Sequence, residues 1–229
     1  MPTTDLLAAI GRADELYLQR GKPGSVRESV MVLSGVPGGS DRYEAQWRLA
    51  RALFFLGQEA APPGSSRQLF AAGVGAGERA VGLNSQRVEG HFWVGVNLAL
   101  FAEVNSGIRA ARALRWARLE LKRAAAISED YHDAGPLRVL ARLAHKAPRL
   151  LGGNPRRSRM LFDRALSIAP SNSVTLLYAA ELALETGERE RARSFLERLL
   201  ESSIDPDWEF ENTRDRRLAT SLLERLAAS

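Results

Sequence analysis

Three histidines, His91, His132 and His145, are the residues best suited to hold a metal or move a proton. None is paired with another His or a Glu at metal-ligand spacing on one predicted helix, and His132-Asp133 reads as a cap or turn, so no metal site is expected. The chain has no Cys, which removes disulfide and thiolate chemistry and any cysteine for a lipid anchor. There is no GxSxG and no phosphate loop. Gly73-Val74-Gly75-Ala76-Gly77 superficially resembles a nucleotide loop, but no strand precedes it and no Lys-Ser/Thr pair follows. These residues read as helix packing, where each glycine costs about 1 kcal/mol relative to alanine unless a close neighbour requires it. The reading is therefore a non-enzymatic protein with no cofactor; a hydrolase lacks its nucleophile–base pair.

The remaining chemistry is recognition. Arg138 and Arg142 stand one helical turn apart and can converge on one carboxylate or phosphate. Trp116 sits among Arg112, Arg115 and Arg118, a pattern that can contact phosphates and stack on bases. Here the arginines alternate with Ala and Leu at helical spacing, which favours a solvated helix face or an oligomer contact over nucleic acid. The chain of 229 residues carries 32 Lys and Arg against 27 Asp and Glu, a formal charge of +5. At 45% hydrophobic and 26% charged residues it has the composition of a globular protein.

Helices must position these groups. Ser158, Phe162 and Ala165 recur in character as Ala192, Leu196 and Leu199, each pair about 34 residues apart, with Gly187 at the turn between. That is the tetratricopeptide pattern, in which small residues admit a neighbouring helix and large ones fill the gap between pairs. The fold expected is all-α, a solenoid of about five helix pairs plus a C-terminal helix, forming one domain over 1–229. Residues 1–40 make an N-terminal pair, 41–212 the core repeats and 213–229 a capping helix. First helices are read at 5–20, 41–56, 87–104, 137–146 and from Ser171 or Ser173 to 187, second helices at 26–33, 67–83, 116–127, 156–168 and 188–202. Ser25 and Asp133 are read as N-caps, and Leu218, Leu222, Leu223 and Leu226 as one side of the last helix. Extra residues between the two helices of the second, third and fourth repeats are expected to cluster as loops on one edge, including 58–66 around Pro62 and 105–115.

In this repeat the first helices line the concave surface. Their exposed positions are Glu44, Trp47, Arg51, Phe54 and Phe55, then Glu89, Phe92, Val96, Ala99 and Leu100, then Gly135, Arg138, Arg142, His145 and Lys146, then Val174, Leu177, Glu181, Leu184 and Glu185. The second and third repeats thus offer an aromatic, apolar wall and the fourth a basic one. Such a groove suits an amphipathic anion, or a peptide with an apolar anchor and a carboxylate. Two alternatives stay open: Trp47, Phe92 and Trp93 are plain core, or the last helix or a loop folds into the groove.

Three segments carry a family resemblance: Gly90-His91-Phe92-Trp93-Val94-Gly95-Val96-Asn97-Leu98, Gly135-Pro136-Leu137-Arg138-Val139-Leu140-Ala141-Arg142-Leu143, and Leu150-Leu151-Gly152-Gly153. From about Tyr43 to Leu226 the chain resembles the T-components of tripartite ATP-independent periplasmic (TRAP) transporters. The resemblance implies a helical-repeat protein of the bacterial periplasm, often lipid-anchored, that partners a solute-binding protein or handles small apolar ligands. The expected function is a binding module accessory to solute uptake, using Trp47, Arg51, Phe54, Phe55, Phe92, Val96, Arg138, Arg142, His145 and Lys146. The alternative is a general scaffold that reads an acidic or C-terminal peptide. Homo-oligomerisation is compatible with either. The N-terminal ten residues do not read as a signal peptide, and the most apolar run, 92–102, is too short to span a membrane. Localisation is therefore periplasmic by resemblance, and cytoplasmic if the sequence is complete.

Overall fold

Helical periodicity interrupted by Gly and Pro folds into helix hairpins. The computed structural model describes residues 2–36, 38–60 and 63–227. Among them there are eleven α-helices: α1 (Pro2–Leu18), α2 (Ser25–Ser34), α3 (Tyr43–Glu59), α4 (Pro63–Leu83), α5 (Val88–Glu103), α6 (Gly107–Ile127), α7 (Tyr131–Lys146), α8 (Pro155–Ile168), α9 (Ser173–Glu185), α10 (Arg189–Glu201) and α11 (Glu209–Ala227). None is long and apolar enough to cross a membrane. The chain divides into two compact units, residues 1–128 and 129–229. Within the first, α1 pairs with α2, α3 with α4 and α5 with α6; within the second, α7 pairs with α8, α9 with α10, and α11 packs on both α9 and α10.

The repeat pattern marks the core directly. Ser158, Phe162, Ala165, Ala192, Leu196 and Leu199 are all buried. Ser158 also donates its hydroxyl to the Ala141 carbonyl at 2.8 Å, tying α8 to α7. In the first unit Trp93 is the largest fully buried side chain, packed edge-on against Phe54 and Phe92. Glycine supplies close approach at particular points: a Cβ on Gly73 would lie 2.2 Å from Asn97 Oδ1, and one on Gly77 2.6 Å from Val94 Cγ2. The same helix holds Gly82, where a Cβ meets nothing within 4 Å. Gly82→Ala therefore raises stability by about 0.5–1 kcal/mol and Gly73→Ala lowers it by about 1–3 kcal/mol, read from denaturant midpoints.

Several expected boundaries move. The segment 105–115 is not an edge loop, because α6 begins at Gly107. Ile108 to Arg115 contains only helix formers, and Gly107 (φ +61) makes the turn into them. Likewise α4 begins at Pro63, so the second repeat's extra residues also extend a helix; Pro62 of that expected loop, and Pro37, lie outside the described residues. Only the fourth repeat keeps a longer connection, residues 147–154, with a 3-10 turn at Arg149–Leu151. Gly24 (φ +85), not Ser25, occupies the N-cap of α2. Asp133 does not cap α7: His132, Asp133 and Ala134 form one left-handed turn (φ 54, 54 and 58) ahead of the right-handed helix. In α11 the buried spacing runs through Asp215, Ala219 and Leu226, with Leu222 and Leu223 partly covered, and Leu218 turns outward at 45% exposure.

Candidate functional site

In the first unit the expected aromatic wall is largely packed inside. Phe92 and Val96 are buried, Trp47 and Phe55 nearly so, and Phe54 is half-buried. A band of ion pairs lies across them. Arg48 holds Asp14 of α1 with two bonds of 2.9 Å (Nε to Oδ1, Nη2 to Oδ2) and donates to Glu44 at 2.5 Å. Arg51 donates to the same Asp14 at 2.6 Å and lies 3.9 Å over the Tyr17 ring. Glu44 accepts from the Trp47 indole N–H at 2.9 Å and pairs with Arg87, which also pairs with Glu89. Tyr43 closes the band by donating to Glu89 at 3.0 Å. Burial raises the Asp14 carboxyl, but hydrogen bonds from Arg48 and Arg51 more than offset that and hold it below the usual carboxylate range. Three acids and three arginines thus alternate along α1, α3 and α5, and the aromatic rings sit beneath arginine planes.

The apolar space here is small. The cleft between Leu16, Tyr17, Arg20, Val26, Arg51 and Phe55 has a volume of about 10 Å³, the limit for a single water. Between α5 and α6, His91 and Glu120 form a buried pair: Nδ1 faces Glu120 Oε2 at 2.6 Å while Nε2 faces the Ser85 carbonyl at 3.0 Å. Both ring nitrogens meet acceptors, which requires an imidazolium; the Glu120 hydrogen bond raises the His91 pKa despite desolvation.

In the second unit the two arginines expected to converge on one anion have different surroundings. Arg138 is 4% exposed. Its Nη1 donates to the Asp133 carbonyl at 2.8 Å and its Nη2 to the His132 carbonyl at 3.2 Å, so it fastens the left-handed turn. Trp208 lies over its guanidinium at 5.2 Å. Arg142 donates to Glu181 Oε2 at 2.5 Å and lies 4.1 Å over Tyr178. The structure brings Arg142, His145 and Lys146 together over Glu181 and Glu185 of α9. Burial lowers the His145 pKa, and its buried Nδ1 has no hydrogen-bond partner while Nε2 meets Glu185 at 2.8 Å. His145 is therefore the neutral tautomer that donates from Nε2, and the basic wall is a charge-alternating one.

Immediately after this cluster the chain turns through Leu150-Leu151-Gly152-Gly153. Gly152 is left-handed (φ +87), and a Cβ on Gly153 would lie 1.9 Å from the Ala147 carbonyl oxygen. Asn154 then donates its N–H to the Ala144 carbonyl at 2.7 Å and caps α8 through its side chain. Leu150, held at the tip of this turn, is 99% exposed. Sequence alone does not place Asp14, Tyr17 or Arg87 in a site and names Leu150 only within the family resemblance; the Glu44/Arg48 pair, four apart on one helix, is the signal that would have pointed to the ion band.

The fold is shared with solved structures of low identity. A thermophilic tetratricopeptide protein of Thermus thermophilus aligns at 17% identity over 91% of this chain and 97% of that one, with a TM-score of 0.69. PilF of Pseudomonas aeruginosa aligns at 14% identity over 95% and 93%, TM-score 0.55, and MamA at 14% over 83% and 91%, TM-score 0.53. Among curated proteins none matches. The sequence profile that does match is that of the TRAP transporter T-component, over residues 46–228. That span runs from the first turn of α3 through α11 and includes the charge-alternating face of α7 and α9 and the glycine turn after α7, and the chain belongs to the TRAP transporter T-component family.

Proposed function

We propose that this T-component is a non-enzymatic binding module of periplasmic solute uptake that holds a protein partner of the transporter, the solute-binding protein. The observation that carries this reading is Leu150, an almost fully exposed leucine on a turn that two glycines and an N-cap make rigid. It follows α7 directly, four residues after Lys146, so it extends the patch of Arg142, His145 and Lys146. A fixed apolar knob beside alternating charges suits a folded partner with one pocket and a complementary charged rim. In the first unit Phe54 and the exposed charges of the ion band, Asp14, Glu44 and Arg87, offer a second surface of the same mixed character, with Trp47, Arg51, Phe55, Phe92 and Val96 as its packed support. Lined by ion pairs and a cleft of about 10 Å³, that face suits a protein surface better than an enclosed apolar acid.

The test is calorimetric titration of the chain with the solute-binding protein of its own transporter. Leu150→Asp weakens binding at least about tenfold without moving the melting temperature, since the side chain touches little in the free chain. Arg142→Ala with Lys146→Ala also weakens binding about tenfold, at a stability cost of about 1 kcal/mol from the lost pairs with Glu181 and Glu185. Unchanged affinity in both variants would sink the proposal. Native mass spectrometry before and after solvent extraction covers the competing reading: a co-purifying apolar acid, with no affinity for the protein partner, favours a ligand carrier.

A further inference from the structure

Helix α6 carries six cationic side chains and one acid, an excess equal to the formal charge of the entire chain, +5. All other residues together are neutral. The helix packs through Ala113, Ala117, Leu121 and Ala124, which are buried. Its one acid, Glu120, is buried as well, held by His91 and by Arg123 at 2.7 Å. The outward side of the helix is thus free of negative charge. It presents Ile108 (72% exposed), Trp116 (49%) and Leu119 (47%), interleaved with exposed Arg112, Arg115 and Lys122. Positions 108, 112, 115, 119 and 122 recur every three or four residues, so they form one stripe along the outer side of a helix about 30 Å long, with Trp116 at its edge.

This stripe is costly for a solvated helix. Arg112 and Arg115 are like charges one turn apart, which oppose helix formation, and three large apolar side chains stand in water beside them. We infer that the outer face of α6 is a docking surface for an anionic lipid bilayer. Long arginine and lysine stems lie along apolar surface and place their charges at headgroup phosphates, while isoleucine, leucine and the indole enter the headgroup–acyl boundary. Each cation near such a surface adds to the attraction, so the face acts collectively. A nucleic-acid duplex would meet the cations but give Ile108 and Leu119 no apolar partner. An acidic protein would need a groove to receive the stripe. A planar bilayer needs only that the stripe be convex and free of acids. The inference rests on neither Leu150 nor the ion band of α3.

Flotation of the full chain with vesicles tests this. Against vesicles of one-third phosphatidylglycerol in phosphatidylcholine, the chain partitions at least about tenfold more strongly than against phosphatidylcholine alone, and high salt reverses the binding. On binding, emission moves to the blue and becomes shielded from an aqueous quencher, a change assigned to Trp116 because Trp116→Phe removes it. Arg112→Glu with Arg115→Glu lowers partitioning at least about tenfold with helicity unchanged by circular dichroism. Should that pair disturb folding, Trp116→Ser alone, at an exposed site, lowers partitioning several-fold. The inference is overturned by equal partitioning into neutral and anionic vesicles, by no partitioning, or by wild-type partitioning of the folded double variant. Salt-sensitive capture of duplex DNA or polyglutamate without vesicle binding also overturns it.

Discussion

Glu120→Leu lowers the stability of the first unit by about 3–5 kcal/mol, among the largest effects of any single change there. The carboxylate is 4% exposed, and it satisfies His91 Nδ1 at 2.6 Å and Arg123 at 2.7 Å. Removing it leaves a buried imidazolium without its counter-charge, so the ring must lose a proton and its Nδ1 hydrogen bond. Replacing both residues, Glu120→Leu with His91→Leu, recovers part of the loss, since neither group is then stranded. Denaturant unfolding followed by tryptophan emission is the measurement, because Trp47, Trp93 and Trp116 all lie in this unit. A loss under about 1 kcal/mol for Glu120→Leu would show that the pair is merely tolerated.

The same pair sets a pH window with opposite signs at its ends. The folded pKa of His91 is raised, chiefly by the Glu120 hydrogen bond, so its contribution is complete below the unfolded value of about 6.5 and is lost as pH rises through the folded value. Burial raises the Glu120 carboxyl, but His91 and Arg123 more than offset it, and its folded pKa is lowered. Its contribution is present above the unfolded value of about 4.3 and is lost as pH falls through the folded value. The pair therefore contributes most between about pH 4.3 and 6.5. Glu120→Leu abolishes both flanks of that profile.

Arg138→Ala destabilises the second unit by about 3 kcal/mol, whereas Arg142→Ala costs about 0.5–1 kcal/mol. The two sit one turn apart and read alike in sequence. Arg138 is buried and donates to the carbonyls of His132 and Asp133, holding three non-glycine residues in a left-handed turn that each would otherwise avoid. Its loss strands those carbonyls and releases the turn. Arg142 is one-quarter exposed, and water screens and replaces its bond to Glu181. Arg138→Lys restores less than half of the loss, because an ammonium lacks the planar fork that reaches two carbonyls. Hydrogen exchange resolved by peptide reads the outcome: Arg138→Ala strips protection from the start of α7, and Arg142→Ala leaves it. Equal, small effects from both would mean that the turn is held by other contacts.

How much was legible follows from the range of each interaction. Helix pairs, their repeat spacing and their breakers are local, and Ser158, Phe162, Leu196 and Leu199 were readable as core because a 34-residue repeat imposes the same burial on each copy. The lengths of α4 and α6 were misjudged because inserted residues with helix-forming side chains extend a helix as readily as they build a loop. The site was legible only as composition. Trp47, Arg51, Phe54, Phe92, Arg138 and Arg142 stand on the expected helices, but which remain available depends on partners elsewhere: Asp14 about thirty-four to thirty-seven residues from Arg48 and Arg51, Glu181 thirty-nine from Arg142.

By itself, then, the sequence determined an all-helical repeat, because apolar periodicity and glycine placement act over one or two turns and survive in any arrangement of the pairs, and its resemblance to the T-components named the family. Only the tertiary structure decided that Arg138 is a fastener and Arg142 a surface charge, that His91 is charged and His145 neutral, and that Leu150 faces outward. Each of these depends on which atoms enclose a group, and burial, counter-charge and desolvation come from residues distant in the chain.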